Sequence, residues 1–219
     1  EMCIRDSRKA VELGADAIEL DVRGSRDGVP VVIHDEDLKR VANIDKRVYE
    51  LGVEEMKNFK VFGKEPIPTL DEVLAAIDDS IPLFIEIKSE GIEDKVVTSL
   101  REHNRYDNSL IISFNYRVLA KVRELDSRID VGLLVATYPV PVNEALKLKA
   151  FAILPRYNII TPRTVKEIHS KNLRVYTWTI NDASLALKLA GYDVDGIATD
   201  DPLIKNEIRK QYRLTKYIR

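Results

Sequence analysis

Charged side chains stand at the ends of three apolar segments of this sequence. They are Glu19, Asp21, His34, Glu86 and Lys88, at the ends of the apolar runs 17–22, 31–34 and 83–88. Such groups lose solvation at the end of a hydrophobic strand unless a metal ion or a bound anion compensates them. Three carboxylates suit a hard divalent cation, a histidine suits proton transfer and a lysine suits phosphate. Together these residue types predict a metal-assisted phosphoester site.

Strand-like and helix-like segments alternate along the rest of the chain. The predicted strands are 16–22, 31–34, 83–88, 109–113, 131–135, 151–154, 173–179 and 195–199. The predicted helices are 8–13, 70–77, 92–103, 116–125, 142–148, 161–170, 182–189 and a closing helix after Pro202. Thr69, with Glu72 three residues later, is typical of a helix N-cap. The region 36–68 is predicted to be irregular.

This alternation favours a parallel sheet with helical crossovers. Two architectures compete, a doubly wound sheet and a (β/α)8 barrel. The sequence has no Gly-rich phosphate loop, and its charged residues follow several different strands, so the barrel is favoured. With 31–34 interpreted as a hairpin-like excursion, seven barrel strands remain, and a full barrel needs about 250 residues. We therefore predict an α/β fold, a (β/α)8 TIM barrel that lacks its first βα unit.

Composition narrows the class of protein. With 219 residues, of which 45% are hydrophobic and 32% charged, the chain predicts one domain over residues 1–219. The net charge of −2 gives no electrostatic case for binding nucleic acid or an anionic membrane. The single cysteine, Cys3, excludes an intrachain disulfide and a cysteine-based zinc site. No apolar stretch approaches the ~20 residues of a membrane span. We expect a cytoplasmic location, with a lost signal peptide as the alternative, and leave the oligomeric state open.

Several ordered segments resemble the signature of the glycerophosphodiester phosphodiesterase family. They are the segments 14–22, 27–35, 67–74, 84–88, 175–181 and 196–200. Any one of them is a weak signal, whereas the ordered set is specific and covers the chain from Arg8 to about Ile208. The resemblance implies a TIM barrel that hydrolyses glycerophosphodiesters to glycerol 3-phosphate and an alcohol. It also implies a small-molecule substrate and one divalent cation, Mg²⁺ or Ca²⁺.

The resemblance also assigns roles by position. It makes Glu19, Asp21 and Glu86 the metal ligands, His34 a general acid or base, Lys88 a phosphate contact and Trp178 part of the pocket near the glycerol. The spacing within each strand agrees, because residues i and i+2 face the same side. Asn181 and Asp200 are expected only to shape the rim. For Trp178, simple core packing is the competing interpretation.

One departure from the family pattern concerns its first strand, which ends in His-Arg-Gly and supplies a second acid/base histidine and a phosphate-binding arginine. This sequence has no His-Arg-Gly, and its other two histidines, His103 and His169, fall in predicted outer helices. We interpret residues 2–7 as a truncation or assembly scar. A chain without that strand is expected to be less active, less stable and more prone to aggregate than one with it restored.

Two alternatives stay open at this point. The first is a lysophospholipase D acting on larger lipids, which an enlarged apolar pocket would distinguish. The second is a non-catalytic binding remnant of the fold, which the missing histidine favours. The retention of five site-type residues in order argues against a remnant, so we favour an active phosphoric diester hydrolase of glycerophosphodiester type.

Overall fold

The computed structural model describes residues 4–216, and the side chains of residues 4–211, so that Cys3 lies outside the described residues. The helices are α1 (Ile4–Glu12), α2 (Lys39–Ala42), α3 (Val53–Met56), α4 (Leu70–Ala76), α5 (Glu93–Glu102), α6 (Tyr116–Leu125), α7 (Val142–Lys147), α8 (Pro162–His169), α9 (Ala183–Ala190) and α10 (Ile204–Lys216). The strands are β1 (Ile18–Gly24), β2 (Pro30–Val32), β3 (Lys60–Val61), β4 (Glu65–Pro66), β5 (Leu83–Ile87), β6 (Ser109–Ser113), β7 (Asp130–Val135), β8 (Ala152–Pro155), β9 (Arg174–Thr177) and β10 (Gly196–Ile197).

The chain divides into two compact units, residues 1–12 with 16–130 and residues 13–15 with 131–219. The seven predicted parallel strands are all present, three of them in the first unit. Organisation as one domain over the whole chain stays a prediction.

The sheet of the first unit is built on β1. Strand β5 pairs with it in parallel, with Asp21 opposite Glu86, and β6 pairs in parallel with β5. Strand β2 pairs antiparallel with the last part of β1, so the predicted hairpin-like excursion is confirmed. Within residues 4–216 no strand precedes β1.

Burial explains which side of β1 carries the charges. Leu20 and Val22 are 3% and 0% exposed, whereas Glu19 and Asp21 alternate with them on the less buried side. All five residues of β6 are buried, as is typical of a parallel strand covered on both faces. The apolar residues therefore determine where β1 and β6 form. The two-residue alternation along β1 places Glu19 and Asp21 on the same side of that strand.

The helices of the first unit begin where the sequence places their caps. The Thr69 hydroxyl accepts a hydrogen bond from the Glu72 amide, and the Glu72 carboxylate accepts one from the Thr69 amide, so the predicted cap of α4 is confirmed. Asn115 caps α6 in a similar way through the amide of Arg117. Helix α6 has the predicted bounds, 116–125.

The prediction that 36–68 is irregular is wrong. The segment forms α2, a 3₁₀ turn at Val48–Glu50, α3 and the antiparallel hairpin β3–β4. A separate apolar core holds these pieces together, and its buried members are Val31, Ile33, Leu38, Val41, Val48, Leu51, Val53, Met56, Val61 and Ile67. Helices of four residues and strands of two are too short to show a 3.6-residue or 2-residue period, which is why the pattern missed them.

A fully buried arginine secures the connection between α4 and β5. Arg105 is 0% exposed, and its guanidinium donates to the carbonyls of Ile77 and Ile81 at 3.2 and 2.6 Å. It also donates to the carbonyl of Asp78 and the side chain of Asn108. Nη1 of Arg105 also lies 3.3 Å from the carboxylate of Asp79, so carbonyl dipoles and one carboxylate together compensate the buried charge.

The second unit contains the parallel strands β7, β8, β9 and β10, paired in that order. Thr161 and Asp182 cap α8 and α9 by accepting backbone hydrogen bonds, and Pro162 is the first residue of α8. Strand β10 is shorter than the predicted 195–199, although amide hydrogen bonds from Asp195 to Val175 and from Ala198 to Thr177 continue beyond its ends. Among the described helices of the chain, none has the length and apolar character that a membrane crossing needs.

Candidate functional site

Three carboxylates of the first unit converge at β1 and β5. One oxygen each of Glu19, Asp21 and Glu86 lies within 4.8 Å of the others. The strand geometry produces this cluster, because Glu19 and Asp21 are two residues apart on β1 and Asp21 stands opposite Glu86 in the parallel register. The structure therefore brings together the three predicted metal ligands.

Lys88 completes the cluster. It follows the end of β5, two residues after Glu86, and its amide donates to the carbonyl of Val22. Its Nζ lies 3.0 Å from Oδ1 of Asp21 and 2.8 Å from Oε1 of Glu86. Its side chain is only 13% exposed, so the ammonium is held by these two carboxylates away from most of the solvent.

The electrostatics of the cluster show an excess of negative charge. Removal of water by the surrounding protein and then repulsion by Asp21 and Glu86 raise the pKa of the Glu19 carboxyl. Glu19 keeps a solvent-exposed face, which limits the first of these causes, whereas the second depends only on the short distances between carboxylates. Burial also raises the pKa of Glu86 despite the neighbouring Lys88.

Lys88 shows the complementary effect. Burial acts to lower the pKa of its ammonium, but the negative charges of Asp21 and Glu86 outweigh burial and raise it. Three carboxylates and one ammonium leave two negative charges when all four groups are ionised. A divalent cation would balance that charge, and carboxylate oxygens are the ligands that hard cations prefer. The donor set therefore fits the divalent metal that the sequence predicts.

His34 lies just beyond β2 in the same unit. The amide of Ile33, its neighbour, donates to the carbonyl of Asp21, and Nε of Arg23 donates to the carbonyl of His34 at 2.9 Å. These bonds attach the backbone of the His34 segment to β1 beside the carboxylates. The imidazole itself is 61% exposed, as a group that exchanges protons with a ligand requires.

Two further residues in contact with this segment received no role from the sequence. Asp35 accepts a hydrogen bond from Nδ1 of His34 at 2.8 Å, and Arg40 donates to both oxygens of Asp35. The only sequence signal was the adjacency of Asp35 to His34. Arg40 gave none, because a spacing of five residues through a turn and a short helix matches no regular period.

Trp178, Asn181 and Asp200 belong to the second unit. The Trp178 indole donates Nε1–H to the carbonyl of Leu154 at 2.8 Å, and the ring is half-buried just after β9. Asn181 donates to the carboxylate of Asp200 at 2.7 Å. That both residues shape the rim of the site stays a prediction.

The other two histidines pair with carboxylates in helical surroundings. His103 follows the last residue of α5 and lies 3.4 Å from Asp71, whereas His169 ends α8 and lies 2.8 Å from Asp195. The predicted helical location is confirmed for His169, while His103 directly follows its helix, and that neither has a role in the site stays a prediction.

Comparison with known proteins identifies the group to which this arrangement belongs. The sequence model of the glycerophosphoryl diester phosphodiesterase family matches residues 3–204. A glycerophosphodiester phosphodiesterase from Caldanaerobacter subterraneus is 36% identical over 96% of this chain and 93% of its own length.

Solved structures that resemble this chain include phosphodiesterases of the same kind. A phosphodiesterase from Oleispira antarctica, in complex with the product sn-glycerol-3-phosphate, is 28% identical with a TM-score of 0.86, over 94% of this chain and 89% of that one. A glycerophosphodiester phosphodiesterase from Thermotoga maritima is 27% identical with a TM-score of 0.82, over 94% and 90%. These matches confirm the predicted α/β fold of the TIM-barrel type. The chain belongs to the glycerophosphoryl diester phosphodiesterase family.

Proposed function

We propose that this chain is a metal-dependent phosphoric diester hydrolase that cleaves glycerophosphodiesters to glycerol 3-phosphate and an alcohol. The observation that carries the proposal is the convergence of Glu19, Asp21 and Glu86 beside Lys88. Family membership and the activity named for the relative from Caldanaerobacter subterraneus support the same reaction. The product complex of the protein from Oleispira antarctica supports glycerol 3-phosphate as the part of the substrate that is recognised.

In this proposal Glu19, Asp21 and Glu86 hold one divalent cation, Mg²⁺ or Ca²⁺. The cation neutralises phosphate charge and polarises the P–O bond when it is bound. Lys88 exchanges part of its contact with Asp21 and Glu86 for a phosphate oxygen, to which its ammonium presents a compact point charge. Both groups would attract the anionic substrate to the side of β1 and β5 that carries the carboxylates.

His34 is the proposed general acid or base. Its exposed imidazole can be reached by a substrate oxygen or an attacking hydroxyl, as proton exchange requires. Trp178 is the proposed wall near the glycerol. Because its Nε1–H is already donated to Leu154, the ring would offer carbon atoms rather than a hydrogen bond.

The test is hydrolysis of glycerophosphocholine by two versions of the protein, the chain as it stands and one with a His-Arg-Gly strand added before α1. Each is assayed with Mg²⁺, with Ca²⁺ and with chelator. We expect metal-dependent release of glycerol 3-phosphate from the version with the added strand, and a much lower rate from the other. The variant His34→Gln should lose about 10²–10⁴-fold in rate, the usual contribution of an acid–base group.

His103→Gln is the matched control, because His103 is a surface histidine paired with Asp71 outside the carboxylate cluster. A folded, metal-binding version that cleaves no glycerophosphodiester would contradict the proposed substrate class. Cleavage of lysophosphatidylcholine in preference to glycerophosphocholine would favour the lysophospholipase D alternative. Full activity of the chain as it stands would show that hydrolysis does not require a His-Arg-Gly strand.

A further inference from the structure

A series of hydrogen bonds links the imidazole of His34, the carboxylate of Asp35 and the guanidinium of Arg40. Nδ1 of His34 donates to Oδ1 of Asp35 at 2.8 Å. On its other side Asp35 accepts two hydrogen bonds from Arg40, from Nε to Oδ2 at 2.6 Å and from Nη2 to Oδ1 at 3.1 Å. The carboxylate therefore lies between the imidazole and the guanidinium and contacts both.

The exposures of the three side chains show which group is held in place. His34 and Arg40 are 61% and 54% exposed, whereas Asp35 is 20% exposed. A two-point contact between a planar guanidinium and a carboxylate fixes the plane as well as the position of the carboxylate. Arg40 thus sets the orientation in which Asp35 meets the ring.

The same contact keeps Asp35 ionised. The hydrogen bond from Arg40, with a smaller contribution from His34, lowers the pKa of Asp35 to about 2. An ionised carboxylate only accepts hydrogen bonds, so Asp35 requires the proton of the neutral imidazole to be on Nδ1. Nε2 of His34 is then the ring nitrogen through which a proton is exchanged with a ligand.

The backbone of His34 is held by hydrogen bonds that do not involve Asp35 or Arg40. Arg23 donates to its carbonyl, and the amide of Ile33 donates to Asp21. Loss of Arg40 should therefore leave the main chain of His34 in place and release only the orientation of the ring. That separation makes the role of Arg40 measurable.

We propose that Arg40 is a positioning residue for the proposed acid–base histidine, acting through Asp35 to fix the ring and the tautomer of His34. The proposal rests on the proposed function for its catalytic meaning, whereas the tautomer can be measured in the protein without turnover. Arg40 needs no contact with substrate in this role. It replaces rotational freedom of an exposed imidazole with one defined arrangement, as partners of functional histidines commonly do.

The test uses Arg40→Gln, with Arg40→Lys as the conservative variant. Arg47→Gln is the matched control, because Arg47 is 55% exposed and pairs at 2.8 Å with Glu36, whereas Arg40 pairs with Asp35, the partner of His34. The tautomer of His34 is read from two-bond nitrogen–proton correlations of the imidazoles, recorded above the titration range of histidine and assigned with His34→Gln. Circular dichroism checks that each variant is folded.

We expect the wild type and Arg47→Gln to carry the His34 proton on Nδ1, and Arg40→Gln to show the mixed tautomers of free imidazole. Arg40→Lys should lie between them, because lysine keeps the charge but not the two-point contact. In a version that hydrolyses glycerophosphocholine, Arg40→Gln should lower kcat about 10–100-fold with KM nearly unchanged.

An unchanged His34 tautomer in folded Arg40→Gln would overturn the proposal. A rise in KM at constant kcat would also overturn it, since that result would place Arg40 in contact with substrate. If the wild type shows the Nδ1 tautomer and Arg40→Gln loses it, while no version hydrolyses a glycerophosphodiester, the positioning role stands and the proposed function fails.

Discussion

The first unit contains a cluster of acidic residues and a single acidic residue whose electrostatic surroundings are opposite. In the site, three carboxylates share the single ammonium of Lys88. At the end of α6, by contrast, the one carboxylate of Asp126 accepts hydrogen bonds from the guanidinium groups of Arg101 and Arg128, at 2.9 and 2.7 Å. The Asp126 side chain is 5% exposed because these two exposed arginines cover it.

The pKa shifts follow the charge balance. Hydrogen bonds from Arg128 and then Arg101 hold the pKa of Asp126 well below its usual range, whereas the pKa values of Glu19 and Glu86 are raised. A surrounding that stabilises ionised carboxylates contributes to folding, and one that disfavours them costs stability until a cation binds. We therefore interpret the carboxylates with unbalanced negative charge, rather than Asp126, as functional.

Removal of one carboxylate from the site should give the largest effect. Glu86→Gln is expected to weaken Mg²⁺ or Ca²⁺ binding by more than about 100-fold, because loss of a direct ligand should exceed the 10–100-fold loss typical of outer partners. Isothermal titration calorimetry measures this affinity. Asp126→Asn, the matched change in the balanced group, should leave it unaltered. Equal affinities for wild type and Glu86→Gln would remove the distinction between the two groups.

Removal of the ammonium should give the next largest effect. Lys88→Met leaves Glu19, Asp21 and Glu86 without the ammonium, and we expect it to destabilise the metal-free protein by about 3–5 kcal/mol. Denaturant unfolding measures the change. A divalent cation should restore most of the lost stability, since it binds only the folded cluster. A loss that metal does not recover would show that Lys88 acts through packing.

Asp126→Asn should destabilise the fold by about 1.5–3 kcal/mol at neutral pH, the range for hydrogen bonds to charged groups. Added divalent cation should not offset this loss, in contrast with Lys88→Met. Unfolding curves with metal and with chelator test the contrast. Lys121→Gln breaks an exposed pair with Glu124 on α6 and serves as a control with a change of under about 1 kcal/mol.

The smallest expected effect is the change at low pH in the stability that Asp126 contributes. Because the folded-state pKa of Asp126 is lowered, its stabilisation is fully present above the ordinary carboxyl pKa of about 3.9 and is lost as pH falls through the folded value. The difference in stability between wild type and Asp126→Asn should therefore shrink only below about pH 4. A difference that stays constant down to strong acid would contradict the role of the charge.

Much of the candidate site could be predicted from the sequence because it depends on strand periodicity. The spacing of Glu19 from Asp21 places both on one side of β1, and the end of an apolar run locates Glu86 and Lys88. The parallel alternation likewise located α6 and β6 at their observed bounds. Local patterns of this kind are repeated along several residues, so single substitutions do not obscure them.

The rest depended on contacts that no period encodes. Short helices and a short hairpin fill 36–68 because they pack on a common apolar core, and tertiary packing decides such pieces. The contact of Arg40 with Asp35 needs the turn before α2, and the cover of Asp126 by Arg101 bridges 25 residues. Each requires the folded neighbourhood rather than the local sequence.

We expect the buried Arg105 to slow the opening of the exposed turn at 78–80. Because its guanidinium binds the carbonyls of Ile77, Asp78 and Ile81, the turn cannot open without stranding a charge inside the protein. Cleavage there by a protease, and hydrogen exchange of its backbone amides, should then follow the rare opening of the core beside β5 rather than the fast fraying of a surface loop. A solvent-facing turn that opens as rarely as the strand after it would hold Glu86 in its register opposite Asp21.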